Sequence, residues 1–315
     1  MHVSSARRAN DGISMAYILG RSHSGSTILD LILGSSPDII GVGELVAGLA
    51  RWPGQCSCGQ IVTECPFWST VVAAVENGGT RPDFLTTRNG IVRQAHIRRF
   101  VRTLLARSNT GWLRDTADQD RRFVTAIGRT AGRRWVVDSS KELTRALLLA
   151  RARPEAVLVH LVRDPAAIWH SYSWRLEAGE GFYFLRRRWP VKGPNRWVAS
   201  FAALTWTTGN LLAELIGVLA RDRMVRVRFE DLLNEPEKTL ASIGELMDVE
   251  LSPQAALVRS GGNISTGHRI EGNRIRTQGQ IQIRPAAAAR KVEVPWPARW
   301  ITFPLRKRYG YTGDG

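Results

Sequence analysis

Acidic residues are scarce in this chain of 315 residues: Asp plus Glu number 28 against 44 Lys plus Arg, a formal net charge of +16. Cysteine is scarcer still, with Cys56, Cys58 and Cys65 all inside one ten-residue stretch. An odd, clustered set in a large chain excludes a disulfide framework of the kind that holds small secreted domains. Apolar runs long enough to span a bilayer are lacking; the best, 211–220, is ten residues and contains Glu214. The first fourteen residues are polar and carry no apolar signal segment. These absences predict a soluble, cytoplasmic chain. A disordered tail and a fibre are excluded by what is present, 43% apolar and 23% charged residues. The length allows one or two domains.

The positive excess is nearly all Arg and is spread along the chain. It fits either an anionic ligand (nucleotide, sulfated or phosphorylated substrate, anionic lipid, nucleic acid) or an Arg-rich proteome. The pairs Arg98–Arg99, Arg121–Arg122 and Arg133–Arg134 read as solvated faces, whereas 186–188 with Lys192 and Arg196, and the tail run 306–308, are denser. The cysteine spacing C-x-C-x6-C can offer three thiolates to zinc, but no fourth ligand is evident nearby. Local packing or a redox-labile pair are the alternatives, and no metal site is expected.

Short apolar segments at 15–20, 135–137, 157–162 and 224–229 read as buried strands. Helical spacing follows at 27–34, 86–108, 142–152, from Pro165, 197–220 and 236–247. Residues 52–68 read as a Gly/Pro/Cys loop, and 179–196 as an irregular basic and aromatic one. Beyond 252 little periodicity remains, and no internal repeat is visible. Alternating strand and helix implies α/β architecture: a parallel sheet covered by helices, with ligands at the carboxyl ends of the strands. One domain with helical insertions is expected, with a core of about 15–278 and an irregular tail over 279–315.

Two segments carry chemistry. Gly20-Arg-Ser-His-Ser-Gly-Ser-Thr27 lies between a strand and a helix. Such a loop aims backbone N–H groups and the helix dipole at one spot, the geometry of a phosphate cradle, with hydroxyls from Ser24, Ser26 and Thr27. It lacks the Gly-Lys-Ser/Thr of a Walker A loop. A Ser-rich turn capping a helix is the bland alternative. The second segment runs from an apolar strand into Arg163-Asp-Pro165 and a helix carrying Ser171, eight residues after Arg163. Arg at a strand end can grip a phosphate in bidentate fashion; a carboxylate partner for Arg163 is the alternative.

Together the two segments resemble sulfotransferases that use 3′-phosphoadenosine 5′-phosphosulfate (PAPS), of bacterial type. The carriers are His23-Ser-Gly-Ser-Thr27, Arg163-Asp-Pro165 with Ser171, Arg228-Phe-Glu-Asp-Leu232 with Pro236, and Gly272-Asn-Arg-Ile-Arg276. Cys56-Ser-Cys-Gly59 and Cys65-Pro-Phe-Trp68 are similar to a block in some bacterial members. The resemblance implies a P-loop-like fold. It implies that the first loop, Gly25 included, cradles the 5′-phosphosulfate, and that Arg163 and Ser171 hold the 3′-phosphate. Gly272 and Arg276 are further candidates for that phosphate. The family usually has Arg or Lys where this chain has His23; either His23 or Arg21 supplies that contact.

In-line transfer to an acceptor hydroxyl needs charge neutralisation and a base, but no metal if cations do the neutralising. Lys141, in Asp138-Ser-Ser-Lys141, suits the first task. Glu44 suits the second, since 39–42 should return the chain to the sheet edge; a similar Gly-Glu segment supplies the base in tyrosylprotein sulfotransferases. His170 is the alternative base. Trp169, Trp174, Phe182, Tyr183 and Trp189 are candidates to line the acceptor pocket, for a carbohydrate, glycolipid or small natural product. Trp296, Trp300, Phe303, Leu305 and the basic run after them offer a weak peripheral contact with an anionic bilayer. The competing readings are a basic nucleic-acid-binding protein and a nucleotide-dependent kinase; the family reading predicts no nucleic-acid partner.

Overall fold

Strand residues that alternate between two apolar faces need a cover on each face, and the chain builds both around one sheet. The computed structural model describes residues 12–76, 84–93, 97–106, 110–177, 196–283 and 294–311, without the side chains of 97 and 174–177. Five strands, β1 (Ser14–Gly20), β2 (Ile39–Gly41), β3 (Trp135–Lys141), β4 (Val157–Val162) and β5 (Met224–Arg228), form a parallel sheet in the order β2-β3-β1-β4-β5. β1 is central and buried throughout. Met15, Tyr17 and Leu19 join one hydrophobic cluster and Ala16 and Ile18 the other, as a period of two requires. A small antiparallel pair, β6 (Asn263–Ser265) and β7 (Gln280–Gln282), lies outside this sheet.

Helices α1 (Ser26–Leu33), α2 (Leu45–Ala50), α3 (Pro66–Glu76), α4 (Phe84–Val92), α5 (Ile97–Leu105), α6 (Gly111–Ala131) and α7 (Leu143–Ala152) come first in the chain. They are followed by α8 (Pro165–Glu177), α9 (Arg196–Ala220), α10 (Phe229–Asn234), α11 (Pro236–Met247), α12 (Ser252–Ser260) and α13 (Trp296–Arg308). The α/β architecture expected from the sequence is therefore present. β2 is the expected return of 39–42 to the sheet edge.

Several expectations need correction. The single helix predicted over 86–108 is two, α4 and α5. α6 was not foreseen, because its inward stripe holds the charged Asp120 beside Leu113, Phe123 and Ile127, which breaks the apolar period. The tail predicted to be irregular contains α13, whose buried face is Ala298, Thr302 and Leu305. Leu305 thus leaves the expected membrane patch. Arg306 pairs with Asp164 and Arg308 with Glu214, while Trp296, Trp300 and Phe303 remain exposed. Arg121 and Arg134 are not simply solvated: they pair with Glu155 and Asp38. The segment Arg196–Arg223 is long and apolar enough, by length and composition alone, to cross a membrane, with 33% of its apolar window buried.

Candidate active site

The carboxyl ends of β1, β3 and β4 meet where the strand order reverses around β1, the usual ligand crevice of such sheets. After β1 the loop turns sharply, with Ser24 N–H donating to the Arg21 carbonyl at 3.1 Å. His23 (φ 68°) and Gly25 (φ 92°) both take left-handed backbone. At Gly25 any side chain would collide with the ring of Phe229, so glycine is required there. The first N–H groups of α1 follow at once, with no side-chain cap.

The end of β4 converges on this loop. Arg163 donates from Nη1 to the His23 carbonyl at 3.0 Å, and its guanidinium lies over Phe229 at 4.9 Å. The Ser171 hydroxyl meets His23 Nδ1 at 3.0 Å, and the His23 ring packs edge-on against Tyr172. Burial pulls Arg163 below its ordinary value, with the nearby Glu230 pushing back. Arg163 Nε and Ser24 Oγ are both buried without a hydrogen-bond partner. Unsatisfied donors at a helix N-terminus, beside a desolvated guanidinium, fit an anion. The residues present therefore fit a phosphate-bearing ligand.

The end of β3 supplies the other side. Lys141 Nζ donates to Glu44 Oε1 at 2.5 Å and to the Ser139 carbonyl at 3.1 Å. Glu44 is held by its neighbours. Gly43 N–H donates to Asp30 Oδ2 at 3.0 Å, Leu45 N–H to Asp138 at 3.3 Å, and Val46 N–H to Ser140 Oγ at 2.9 Å. Asp30 is itself locked by a buried ion pair with Arg269. Burial, and then the nearby Glu44, raise the Glu142 carboxyl above the usual carboxylate range, while Lys141 and Arg21 pull it back.

The two halves separate the sequence candidates. His23 sits with Arg163 and Ser171. Arg21 lies against Gly209 of α9 and is felt by Glu142, hence on the Lys141 side. Thr27 and Gly272 approach Glu44: Asn273 N–H donates to Thr27 Oγ1 at 3.4 Å, and a side chain at Gly272 would meet Thr27 and the Glu44 carboxylate. Arg276 is buried and directs Nη1 to the Gln55 carbonyl at 3.0 Å, and its Nε, like that of Arg163, is buried without a hydrogen-bond partner. Ser26 is buried in the first turn of α1. Trp169 is core, packed with Val198 and Ala298. The side chain of Trp174, and Phe182, Tyr183, Trp189, the run 186–188 and Lys192, lie outside the described residues.

The model of the sulfotransferase family matches residues 72–253, more than half of the chain. The chain belongs to the sulfotransferase family. The matched stretch contains Lys141, Arg163 and Ser171; the loop at 20–27 and Glu44 lie before it. Among solved structures this sulfotransferase is similar to the sulfotransferase domain of the Synechococcus PCC 7002 olefin synthase, at 19% identity over 99% of each chain and a TM-score of 0.53. It is also similar to the sulfotransferase domain of the curacin biosynthetic pathway, at 16% identity over 95% of this chain and 98% of that one, with a TM-score of 0.50. At these identities the likeness is one of fold. No curated protein matches the chain by sequence.

Sequence reasoning missed four contributors. Asp30 and Arg269 are 239 residues apart, and no local spacing signals their pairing. Phe229, within the 228–232 motif, carries no local sign that it backs both Gly25 and Arg163. His268 completes a cluster with Cys56, Cys58 and Cys65, where no fourth ligand was expected.

Proposed function

We propose that this sulfotransferase takes PAPS as donor and moves a sulfuryl group to the hydroxyl of a carbohydrate, glycolipid or small natural product. The observation that carries the reading is the meeting of Arg163, Ser171 and His23 at the N-terminus of α1, with Arg163 Nε and Ser24 Oγ buried and unpartnered. Arg163 and Ser171 hold the 3′-phosphate. Ser24, Ser26, Thr27 and the N–H groups after Gly25 hold the phosphosulfate, and His23 bridges the two ends. Bound there, PAPS supplies the sulfuryl group, which leaves the 5′-phosphate oxygen for the acceptor oxygen and releases adenosine 3′,5′-bisphosphate.

Lys141 neutralises charge growing on the departing oxygen, helped by Arg21. Glu44 accepts the acceptor's proton at Oε2, the oxygen that Lys141 does not hold. Gly272, beside Thr27 and Glu44, leaves room at the reacting end. With these cations in place the transfer step needs no metal. One domain spanning 1–315 and a cytoplasmic location belong to the same reading, the latter supported by three unpaired cysteines.

Calorimetric titration with adenosine 3′,5′-bisphosphate, ATP and a random oligonucleotide tests it. Saturable binding of the bisphosphate in preference to the others is expected. A preference for ATP would favour the kinase, and a preference for the oligonucleotide the nucleic-acid reading.

A further inference from the structure

Four potential metal ligands from two distant parts of the chain converge at one point. Cys56, Cys58 and Cys65 come from the loop before α3, and His268 from the strap that follows β6. Their Sγ and Nδ1 atoms all lie within 4.8 Å of one another. Cys58 Sγ and Cys65 Sγ are 3.7 Å apart; His268 Nδ1 is 3.3 Å from Cys65 Sγ and 3.9 Å from Cys56 Sγ. Bonds of about 2.3 Å to sulfur and about 2.0–2.1 Å to nitrogen, at tetrahedral angles, set S···S edges of about 3.8 Å and S···N edges of about 3.5 Å. The three separations given lie within about 0.4 Å of those edges, and every other pair in the cluster is within 4.8 Å.

The surroundings hold both parts of the cluster in place. The Cys56 N–H donates to the Gln60 carbonyl at 2.9 Å and the Gly59 N–H to the Cys56 carbonyl at 3.0 Å, in a tight knuckle that turns at Gly59 (φ 93°). Outer contacts fix the histidine: its ring stacks on Phe67 at 5.2 Å, and its carbonyl accepts from Trp68 Nε1 at 2.8 Å. Packing alone would explain Cys56 and Cys65, which are fully buried, but not Cys58, which is exposed and still completes the figure.

We propose that Cys56, Cys58, Cys65 and His268 bind one Zn²⁺ as a closed structural site. Each thiol gives its proton to solvent as it binds, and His268 binds as the neutral imidazole through Nδ1. All four positions are filled by protein, so none remains for a substrate, and the ion takes no part in transfer. It staples the cysteine loop to the strap 266–273. That strap also carries Arg269, which locks Asp30, Ile270, whose N–H donates to the Val42 carbonyl at 3.0 Å, and Gly272 beside Glu44. The staple therefore fixes one wall of the reacting end.

The test uses the full chain, purified without a tag from zinc-supplemented cells with its thiols kept reduced. Elemental analysis is expected to find about one zinc per chain. Replacement by Co²⁺ should give the visible bands and sulfur-to-cobalt charge transfer of a four-coordinate thiolate site. Cys58→Ser, at the exposed ligand, should lower metal affinity by more than the about 10–100-fold that loss of an outer partner costs, with the circular dichroism of the parent retained. Chelation should raise hydrogen exchange at the Ile270 amide. The proposal is overturned by a folded, metal-free chain with three freely titrating thiols, by a Cys58–Cys65 disulfide as the purified state, or by a cobalt spectrum without thiolate bands.

Discussion

Glu44 and Lys141 lie 97 residues apart in sequence and 2.5 Å apart in space, and that one contact sets the residue-scale behaviour of the site. With Glu44 as base, Glu44→Gln should leave the affinity for adenosine 3′,5′-bisphosphate nearly intact and lower turnover by about 10²–10⁴-fold. Normal turnover of the Gln variant on the true acceptor would move the base elsewhere. Lys141→Ala should also act on turnover rather than on bisphosphate affinity, by about 10²–10³-fold, the cost of one lost donor to a developing anion; pre-steady-state rates with saturating donor check this. The placement of both residues was legible in the sequence, since Lys141 closes β3 and Glu44 follows β2, at the carboxyl ends where a parallel sheet collects its ligands. His268 was not legible, because its partners lie about two hundred positions upstream and only the fold closes that distance.

At the scale of elements, a buried charge network decides how α6 meets the sheet. Asp120 of α6 pairs with Arg145 and Arg153, Arg145 also with Asp138 of β3, and the Arg and Asp side chains are fully buried. The buried Asp138 in turn accepts the Leu45 N–H that starts α2 directly after Glu44. Removing one member strands the others, so Asp120→Ala should cost about 3–5 kcal/mol of stability. Urea unfolding measures it; a loss within about 0.5 kcal/mol would show that the network is not closed as described. The same network explains why α6 escaped detection. Its inward stripe is part ion pair, and a hydrophobic period sees only the apolar part. The strand at 157–162 was legible because every residue but His160 is apolar, and the helix at 236–247 because Pro236 marks its start, as Pro165 marks that of α8.

Across the whole molecule, stability should respond to pH through His160. Its ring sits in β4 with Nε2 bonded to Asn210 of α9 at 2.9 Å, and burial pushes its pKa down to about 4. The unfolded chain binds the proton near the ordinary value of about 6.5, so between the two values the unfolded state holds more protons. The contribution is fully present above about 6.5 and is lost as pH falls toward 4, in all about 3 kcal/mol. Urea midpoints of the wild type and His160→Gln should converge as pH falls through that window; parallel curves would remove the assignment. The overall charge of +16 fits an anionic ligand at the crevice between Arg163 and the N-terminus of α1. The most direct measurement compares Arg163→Ala with the wild type by calorimetry, using adenosine 3′,5′-bisphosphate and adenosine 5′-monophosphate. The bisphosphate should weaken by about 1.5–3 kcal/mol, the range for a charged hydrogen bond, while the monophosphate, which lacks the 3′-phosphate, stays nearly unchanged. Equal losses for both ligands would contradict the assignment of Arg163 to the 3′-phosphate and, with it, the donor orientation on which the transfer chemistry rests.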